Sequence, residues 1–206
     1  MIYRTDLRNL MLRSLKPDTV KWNHGLKSCT ALNPSSYEIT FYDGTTITTP
    51  LLVGADGTFS KVRPLLHSIK PTYSGICMYD MMIPAENMTS RLRDYVGNGA
   101  AMILDDGKGL LPQMNSGGRC KVYPGFKCPE NWLDENPLPE SGKREWIAKM
   151  YEGWYELNRE IIMACDEDTI VARKIWKFDP DLKWDTDKTG VTVIGESIIC
   201  LSGSMR

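Results

Sequence analysis

The sequence has few histidines and no closely spaced cysteine pair, the two features on which most zinc sites depend. Its histidines are His24 and His67, and none of its six cysteines stands in a C-x-x-C pair. Cys120 and Cys128 are nearest to each other, but the seven residues between them fit no common ligand spacing. We therefore expect reduced thiols and no metal site.

Long apolar runs and an excess of charge of one sign are also absent. Lys and Arg total 25 against 26 Asp and Glu, so the net charge of -1 favours no nucleic-acid partner. The apolar runs are far shorter than the roughly 20 residues that span a bilayer. The first eight residues carry three charges and lack the apolar stretch of a signal peptide. These features predict a cytoplasmic protein with no membrane span.

What is present is the composition of an ordinary globular chain. The 206 residues are 42% hydrophobic and 25% charged, which is typical of folded domains. This length predicts one large domain or two small ones.

An amphipathic helix is predicted at the amino terminus. Its apolar residues recur at intervals of three and four: Leu7, Leu10, Met11 and Leu15. We expect it to end at Lys16, because Pro17 disfavours the helical conformation of the preceding residue. Arg4 and Arg8 lie one turn apart beside this stripe, where two guanidinium groups are suited to hold an anion. The alternative is that both are ordinary surface arginines.

Short strands with period-two alternation follow this helix. The predicted strands are Val20–Trp22, Cys29–Leu32, Tyr37–Tyr42 and Thr45–Thr49. Asp43-Gly44 is a typical hairpin turn between the last two. This region is therefore expected to form a β-meander.

The continuous apolar run Leu51–Ala55 predicts a strand buried on both faces of a parallel sheet. It ends at Asp56-Gly57, and Ser60 is a suitable N-cap for a helix beginning just after it. A strand, a glycine-bearing loop and a helix start form the arrangement at which α/β folds bind phosphate groups. An ordinary strand-to-helix turn is the alternative. The run from Val191 to Glu196 repeats the pattern of a buried strand followed by glycine and an acid.

The sequence between these two predicted strands has the pattern of an antiparallel sheet. The predicted strands are Ile76–Ile83, Ala100–Leu104, Gly109–Met114 and Arg119–Tyr123. A helix of about four turns is predicted from an apolar stripe at intervals of three and four. The stripe is formed by Ile147, Met150, Trp154, Leu157 and Ile161. The whole predicts an α/β fold of mixed α+β character, in which an antiparallel sheet is inserted into a parallel core.

Three segments resemble motifs of the FAD-dependent aromatic-ring monooxygenases, the class that includes p-hydroxybenzoate hydroxylase, salicylate hydroxylase and the tetracycline-inactivating monooxygenase. Arg4-Thr-Asp-Leu-Arg8 resembles the arginine-bearing first helix of that family. Residues 53–63, with Asp56-Gly57 inside them, are similar to its D-G fingerprint. Lys183-Trp184 followed by residues 191–196 resembles the approach to its G-D motif.

The resemblance implies a partial Rossmann-like FAD-binding domain, formed by residues 1–70 and 171–206, with an antiparallel-sheet substrate domain at 71–170. It implies an enzyme in which FAD, reduced by NAD(P)H, hydroxylates an aromatic or polycyclic small molecule held by the sheet. The cofactor-binding candidates carried over from the family motifs are Arg4, Arg8, Asp56, Gly57, Gly195 and Glu196. No catalytic residue is identified.

The chain also departs from the family pattern. No G-x-G-x-x-G loop precedes Arg4, and the acid of the G-D motif is Glu196 where the family has aspartate. We therefore expect a monooxygenase fragment, truncated at both ends. The alternative is a non-enzymatic remnant or binding module of the same fold that no longer binds flavin. The runs 51–55 and 191–194 are expected to present unpaired edges, through which the chain would self-associate.

Overall fold

A computed structural model describes residues 2–179 and 187–197. Lys183, Trp184 and the segment after Ser197 lie outside the described residues. The chain divides into two compact units. In the described part, the sheet unit comprises residues 2–15 and 75–175, and the meander unit comprises residues 16–74, 176–179 and 187–197.

The described residues form short α-helices and β-strands. The α-helices are α1 (Arg4–Arg13), α2 (Ser90–Val96), α3 (Trp132–Glu135), α4 (Lys143–Lys149) and α5 (Glu156–Met163). The strands are β1 (Leu26–Asn33), β2 (Ser36–Phe41), β3 (Thr46–Thr49), β4 (Leu52–Gly54), β5 (Thr72–Ile83), β6 (Ile103–Asp105), β7 (Lys108–Met114), β8 (Cys120–Lys127), β9 (Val171–Lys177) and β10 (Val191–Val193). None of the described helices is long and apolar enough to cross a membrane.

The meander unit combines an antiparallel and a parallel sheet. Strands β1, β2 and β3 form the predicted meander, whereas Val20–Trp22 forms no strand. Strands β4 and β10 pair in parallel, with Leu52 opposite Val191. One core joins the two sheets: Tyr37, Ile39, Leu52, Val62, Leu66, Val191 and Val193. The hydroxyl of Tyr37 also donates a hydrogen bond to the carbonyl of Thr189 at 2.5 Å.

The predicted burial of β4 on both faces is wrong. Leu52 and Gly54 face the core, but the side chain of Val53 between them is 47% exposed and that of Leu51 is 65% exposed. On β10 the same alternation leaves Ile194, just after the strand, 50% exposed. In the described part of the meander unit, the core covers one face of this pair. The runs are apolar throughout, so the sequence pattern does not distinguish the covered face from the open one.

The predicted helix start near Ser60 is a single 3-10 turn over Arg63–Leu65. The hydroxyl of Ser60 accepts hydrogen bonds from the amides of Val62 and Arg63, at 3.2 and 3.0 Å. Ser60 therefore accepts from amides that lead into the turn, but the N-cap residue of the turn is Val62, Pro64 stands inside the turn and no α-helix follows.

The sheet unit is built on five strands in the order β6, β7, β8, β5, β9. One face of β5 is fully buried through alternate residues, among them Tyr79 and Met81. Tyr79 contacts Trp146 of α4 edge to face. The hydroxyl of Tyr151, which follows α4, lies 3.1 and 3.0 Å from the carbonyl oxygens of Gly109 and Gly125 on the sheet. The helices are therefore held to this face by both apolar and polar contacts.

The helix predicted over Ile147 to Ile161 is two helices, α4 and α5, and the prediction of one continuous helix is wrong. The chain between them turns at Gly153, which has a φ of +85°. A left-handed glycine of this kind interrupts the helical hydrogen-bond pattern. The residues between α4 and α5 are about as many as two helical turns contain. The apolar residues of the two helices therefore still recur at intervals of three and four.

The amino-terminal helix clusters with the sheet unit, whereas the predicted boundary placed it in a domain of residues 1–70. Polar contacts explain its position. The carboxylate of Asp6 accepts hydrogen bonds from Ser116 at 2.5 Å and from Arg119 at 3.3 Å. The amide of Tyr3 donates to the Ser116 hydroxyl at 3.0 Å. The apolar stripe of α1 is exposed on the described part of the chain.

Candidate functional site

The carboxyl ends of β4 and β10 lie side by side. Gly54 is opposite Val193 in the parallel register, and the amide of Ile194 donates to the carbonyl of Gly54 at 2.8 Å. The segments that follow, 55–60 and 194–197, therefore leave the same edge of the sheet. This register brings together four of the predicted site residues, those of the Asp56-Gly57 and Gly195-Glu196 motifs.

Ser197 connects the two segments. Its hydroxyl accepts a hydrogen bond from the amide of Gly57 at 2.8 Å and donates one to Oδ1 of Asp56 at 3.2 Å. The residue is 0% exposed. Because this hydroxyl is buried and hydrogen-bonded to both segments, it holds them together more strongly than a solvated hydroxyl would.

Arg63 forms a second connection between the same segments. Its guanidinium is buried, donates from Nη1 to the Ser197 carbonyl at 3.1 Å and donates from Nη2 to the Thr58 carbonyl at 2.8 Å. The ring of Phe178 lies 4.4 Å from the guanidinium carbon, a cation–π contact. Ser197 and Arg63 were not among the predicted site residues. The spacing of Arg63 from Ser60 was visible in the sequence, but its partner at Ser197 had no local signal.

Asp56 is committed to hydrogen bonds within this site. Its Oδ2 accepts from the amide of Lys61 at 2.7 Å. Partial burial raises the pKa of the carboxyl, but hydrogen bonds from Ser60, Lys61, its own amide and Ser197 outweigh burial and hold the pKa below its ordinary value. The carboxylate is therefore stabilised in its charged form by the loop itself.

We expect this carboxylate to make the fold sensitive to acid. Because its folded-state pKa is lowered, its contribution to stability is present above the unfolded value of about 3.9 and is lost as pH falls through the folded-state pKa. The difference in free energy of unfolding between the wild type and Asp56→Asn should shrink between about pH 5 and pH 3. Urea unfolding at a series of pH values measures it. Asp18→Asn, at an exposed position, is the control, and a pH-independent difference for Asp56→Asn would contradict the expectation.

Around Glu196, Gly57 and Gly195 the edge is uncovered within the described residues. The side chain of Glu196 is exposed and forms no hydrogen bond or ion pair within residues 2–179 and 187–197. Gly57 and Gly195 have φ values of +86° and +63°, and a Cβ added to either would meet no atom within 4 Å. Both glycines therefore leave open space at this edge, and the Glu196 carboxylate follows Gly195 directly in the chain.

The remaining predicted residues, Arg4 and Arg8, lie on α1 in the sheet unit. Both side chains are exposed. Within the described residues, Arg8 donates one long hydrogen bond, to Oδ1 of Asn9 at 3.4 Å. Their charge is thus available for an anion.

The sheet unit also carries a charged cluster on the less buried face of its strands. The carboxylate of Asp80 accepts from the ammonium of Lys121 and, at 3.2 Å, from Nε of Arg173. Tyr123 lies on the same face, and its pKa is raised by burial and by the charge of Asp80. Polar and aromatic groups are therefore placed together on a face that α4 and α5 do not cover.

Known proteins resemble this chain in sequence and in fold. Over 164 residues the chain is 32% identical to the chloroplastic zeaxanthin epoxidase of Nicotiana plumbaginifolia, covering 78% of this chain and 23% of the relative. Over 130 residues it is 35% identical to the monooxygenase PenA of Penicillium thymicola, covering 59% and 30%. The predicted resemblance to FAD-dependent monooxygenases is confirmed. No family model matches it.

A solved structure of an FAD complex has the same fold. HpxO of Klebsiella pneumoniae, complexed with FAD and uric acid, superposes with a TM-score of 0.73 at 20% identity, over 96% of this chain and 48% of that one. The chain thus spans about half of HpxO and about a quarter of the curated relatives it matches. The predicted mixed α/β fold is confirmed.

Proposed function

We propose that the chain is part of a flavin monooxygenase and that the edge formed by β4 and β10 contributes to its FAD site. The observation that carries the proposal is the convergence of the Asp56-Gly57 and Gly195-Glu196 turns at one edge of a parallel strand pair. Crevices at the carboxyl ends of parallel strands are the usual ligand sites of α/β folds. The open space at Gly57 and Gly195 supports it.

The residues present fit a dinucleotide ligand with hydroxyl and phosphate groups. The exposed carboxylate of Glu196 is an acceptor for ribityl hydroxyls. The two glycines permit close approach of the backbone. Arg4 and Arg8, on α1 of the sheet unit, stay cofactor-binding predictions by themselves, since a guanidinium group neutralises phosphate charge.

When bound, FAD reduced by NAD(P)H would supply the redox and oxygen-transfer chemistry. The role of this chain is then to hold the cofactor and the substrate. We assign the substrate, an aromatic or polycyclic small molecule, to the open face of the sheet unit. Tyr123 offers a ring for stacking there, and Lys121 and Arg173 offer charge. A cytoplasmic location and the use of NAD(P)H stay predictions.

Titration with FAD tests the proposal. Removing the carboxylate charge in Glu196→Gln weakens hydrogen bonds to ligand hydroxyls, so we expect the Kd for FAD to rise about tenfold. Quenching of flavin fluorescence measures the Kd. The matched control is Glu38→Gln on β2, which should leave the Kd unchanged. Wild-type protein that binds no FAD would overturn the proposal and favour a non-enzymatic binding module.

The open face of the parallel strand pair predicts self-association. Leu51, Val53 and Ile194 expose apolar side chains beside two unpaired strand edges within the described residues. Such surfaces associate in water. We expect the mass from light scattering to rise with protein concentration, and the double change Val53→Lys and Ile194→Lys to abolish the rise. Ile47→Lys, on exposed β3, is the control, and a wild type that stays monomeric throughout would contradict the prediction.

A further inference from the structure

The hydroxyl of Ser197 lies fully buried between the two turns of the proposed flavin-binding edge. It uses both its acceptor and its donor capacity there, with the amide of Gly57 at 2.8 Å and Oδ1 of Asp56 at 3.2 Å. Its own carbonyl accepts from Arg63 at 3.1 Å. Alanine at this position would leave the Gly57 amide without its acceptor in a partly buried place, and such a loss is costly.

We propose that Ser197 is a positioning residue, whose hydroxyl fixes the Asp56-Gly57 turn against the Gly195–Ser197 turn and so preorganises the edge for FAD. The inference rests on the proposed function. Preorganisation increases affinity because the loop is ordered before the ligand arrives, so binding does not bear that entropic cost.

The hydrogen bonds of Ser197 distinguish the residues that support the loop from the residue that would contact the ligand. The amide of Gly57 donates inward to Ser197, and the two carboxylate oxygens of Asp56 accept from Ser197 and from the amide of Lys61. Both residues therefore shape the edge through internal hydrogen bonds. Glu196, the neighbour of Ser197, is the exposed carboxylate that has no partner within the described residues. We thus assign ligand contact to Glu196 and support of the loop to Asp56 and Gly57.

Amide exchange of the loop tests the positioning role independently of flavin. In Ser197→Ala we expect the amide of Gly57 to exchange at least about tenfold faster, because its hydrogen bond is lost. Ser197→Thr keeps a hydroxyl and should keep most of the protection. Ser35→Ala, at an exposed serine of the same unit, is the control. Unchanged exchange at Gly57 in Ser197→Ala would overturn the proposal.

FAD titration of the same variants, in conditions where urea curves show all of them folded, tests the link to binding. We expect Ser197→Ala to raise the Kd for FAD about tenfold and Ser197→Thr to restore it. Faster exchange at Gly57 with an unchanged Kd would overturn the positioning role. If wild-type protein binds no FAD while Ser197→Ala still loses protection, the flavin assignment falls and the loop-fixing role of Ser197 stands.

Discussion

Arg63→Met is expected to destabilise the meander unit by about 3 kcal/mol. The guanidinium is 4% exposed and bridges the carbonyls of Thr58 and Ser197. Hydrogen bonds to a charged group contribute roughly 1.5–3 kcal/mol each, while methionine avoids the cost of burying a charge. Without the bridge, the two turns of the proposed FAD edge lose one of their two connections. The free energy of unfolding from urea titration measures the effect.

Arg63→Lys tests whether the positive charge alone or the shape of the guanidinium group stabilises the meander unit. Lysine keeps the positive charge but cannot present two parallel N–H groups to two carbonyls. We therefore expect an intermediate loss of stability. Lys70→Met, at an exposed position in the same unit, controls for removal of a charge and should be nearly neutral. Equal stability of Arg63→Met and the wild type would mean that the bridge contributes nothing to the fold.

Gly54→Ala is expected to disrupt the pairing of β4 with β10. A Cβ at this position would lie 2.6 Å from Cβ of Val62 and 2.8 Å from Cγ1 of Val193. Both neighbours are buried core residues, so relief of the contact requires movement of the backbone. Overpacking of this kind costs typically 1–3 kcal/mol, and we expect about 3 kcal/mol here because both contacts are with the core.

Hydrogen exchange resolves where Gly54→Ala acts. Amides of β4 and β10 should lose protection, while those of β7 and β8 in the sheet unit should keep it. Gly99→Ala is the matched control, because Gly99 has no atom within 4 Å of an added Cβ and no positive φ is recorded for it. Retained protection of β4 and β10 in Gly54→Ala would show that the core accommodates the methyl group.

Together these two substitutions distinguish a scaffold defect from a binding defect. Gly54→Ala should weaken FAD binding only to the extent that it unfolds the meander unit, whereas Arg63→Met also removes a contact that holds the two turns of the edge together. Glu196→Gln should weaken binding in a fully folded chain. If flavin binding follows stability in all three variants, Glu196 is not a ligand residue.

Several elements followed from the sequence because their signals are local. The alternation around Tyr37 and Ile39 predicted β2, and the Asp43-Gly44 turn predicted the hairpin to β3. The apolar runs at 51–55 and 191–194 predicted strands of one parallel core, and β4 and β10 pair in parallel. Residue types within a few positions were sufficient in each case.

Other features depended on partners distant in the chain. Gly153 interrupts a stripe that reads as one helix, since the spacing on both sides stays close to helical. Leu51 and Val53 are as apolar as the residues that the core covers, so composition did not reveal which face lies open.

The sequence by itself therefore determined the family resemblance, most of the strands and the identity of the acidic and glycine residues at the proposed flavin edge. Only the tertiary structure decided how that edge is held together. Ser197 and Gly57 are 140 residues apart, and Ser197 and Arg63 are 134 apart. Hydrogen bonds over such separations leave no periodic signal, because they depend on the parallel register that brings the two strand ends to the same edge.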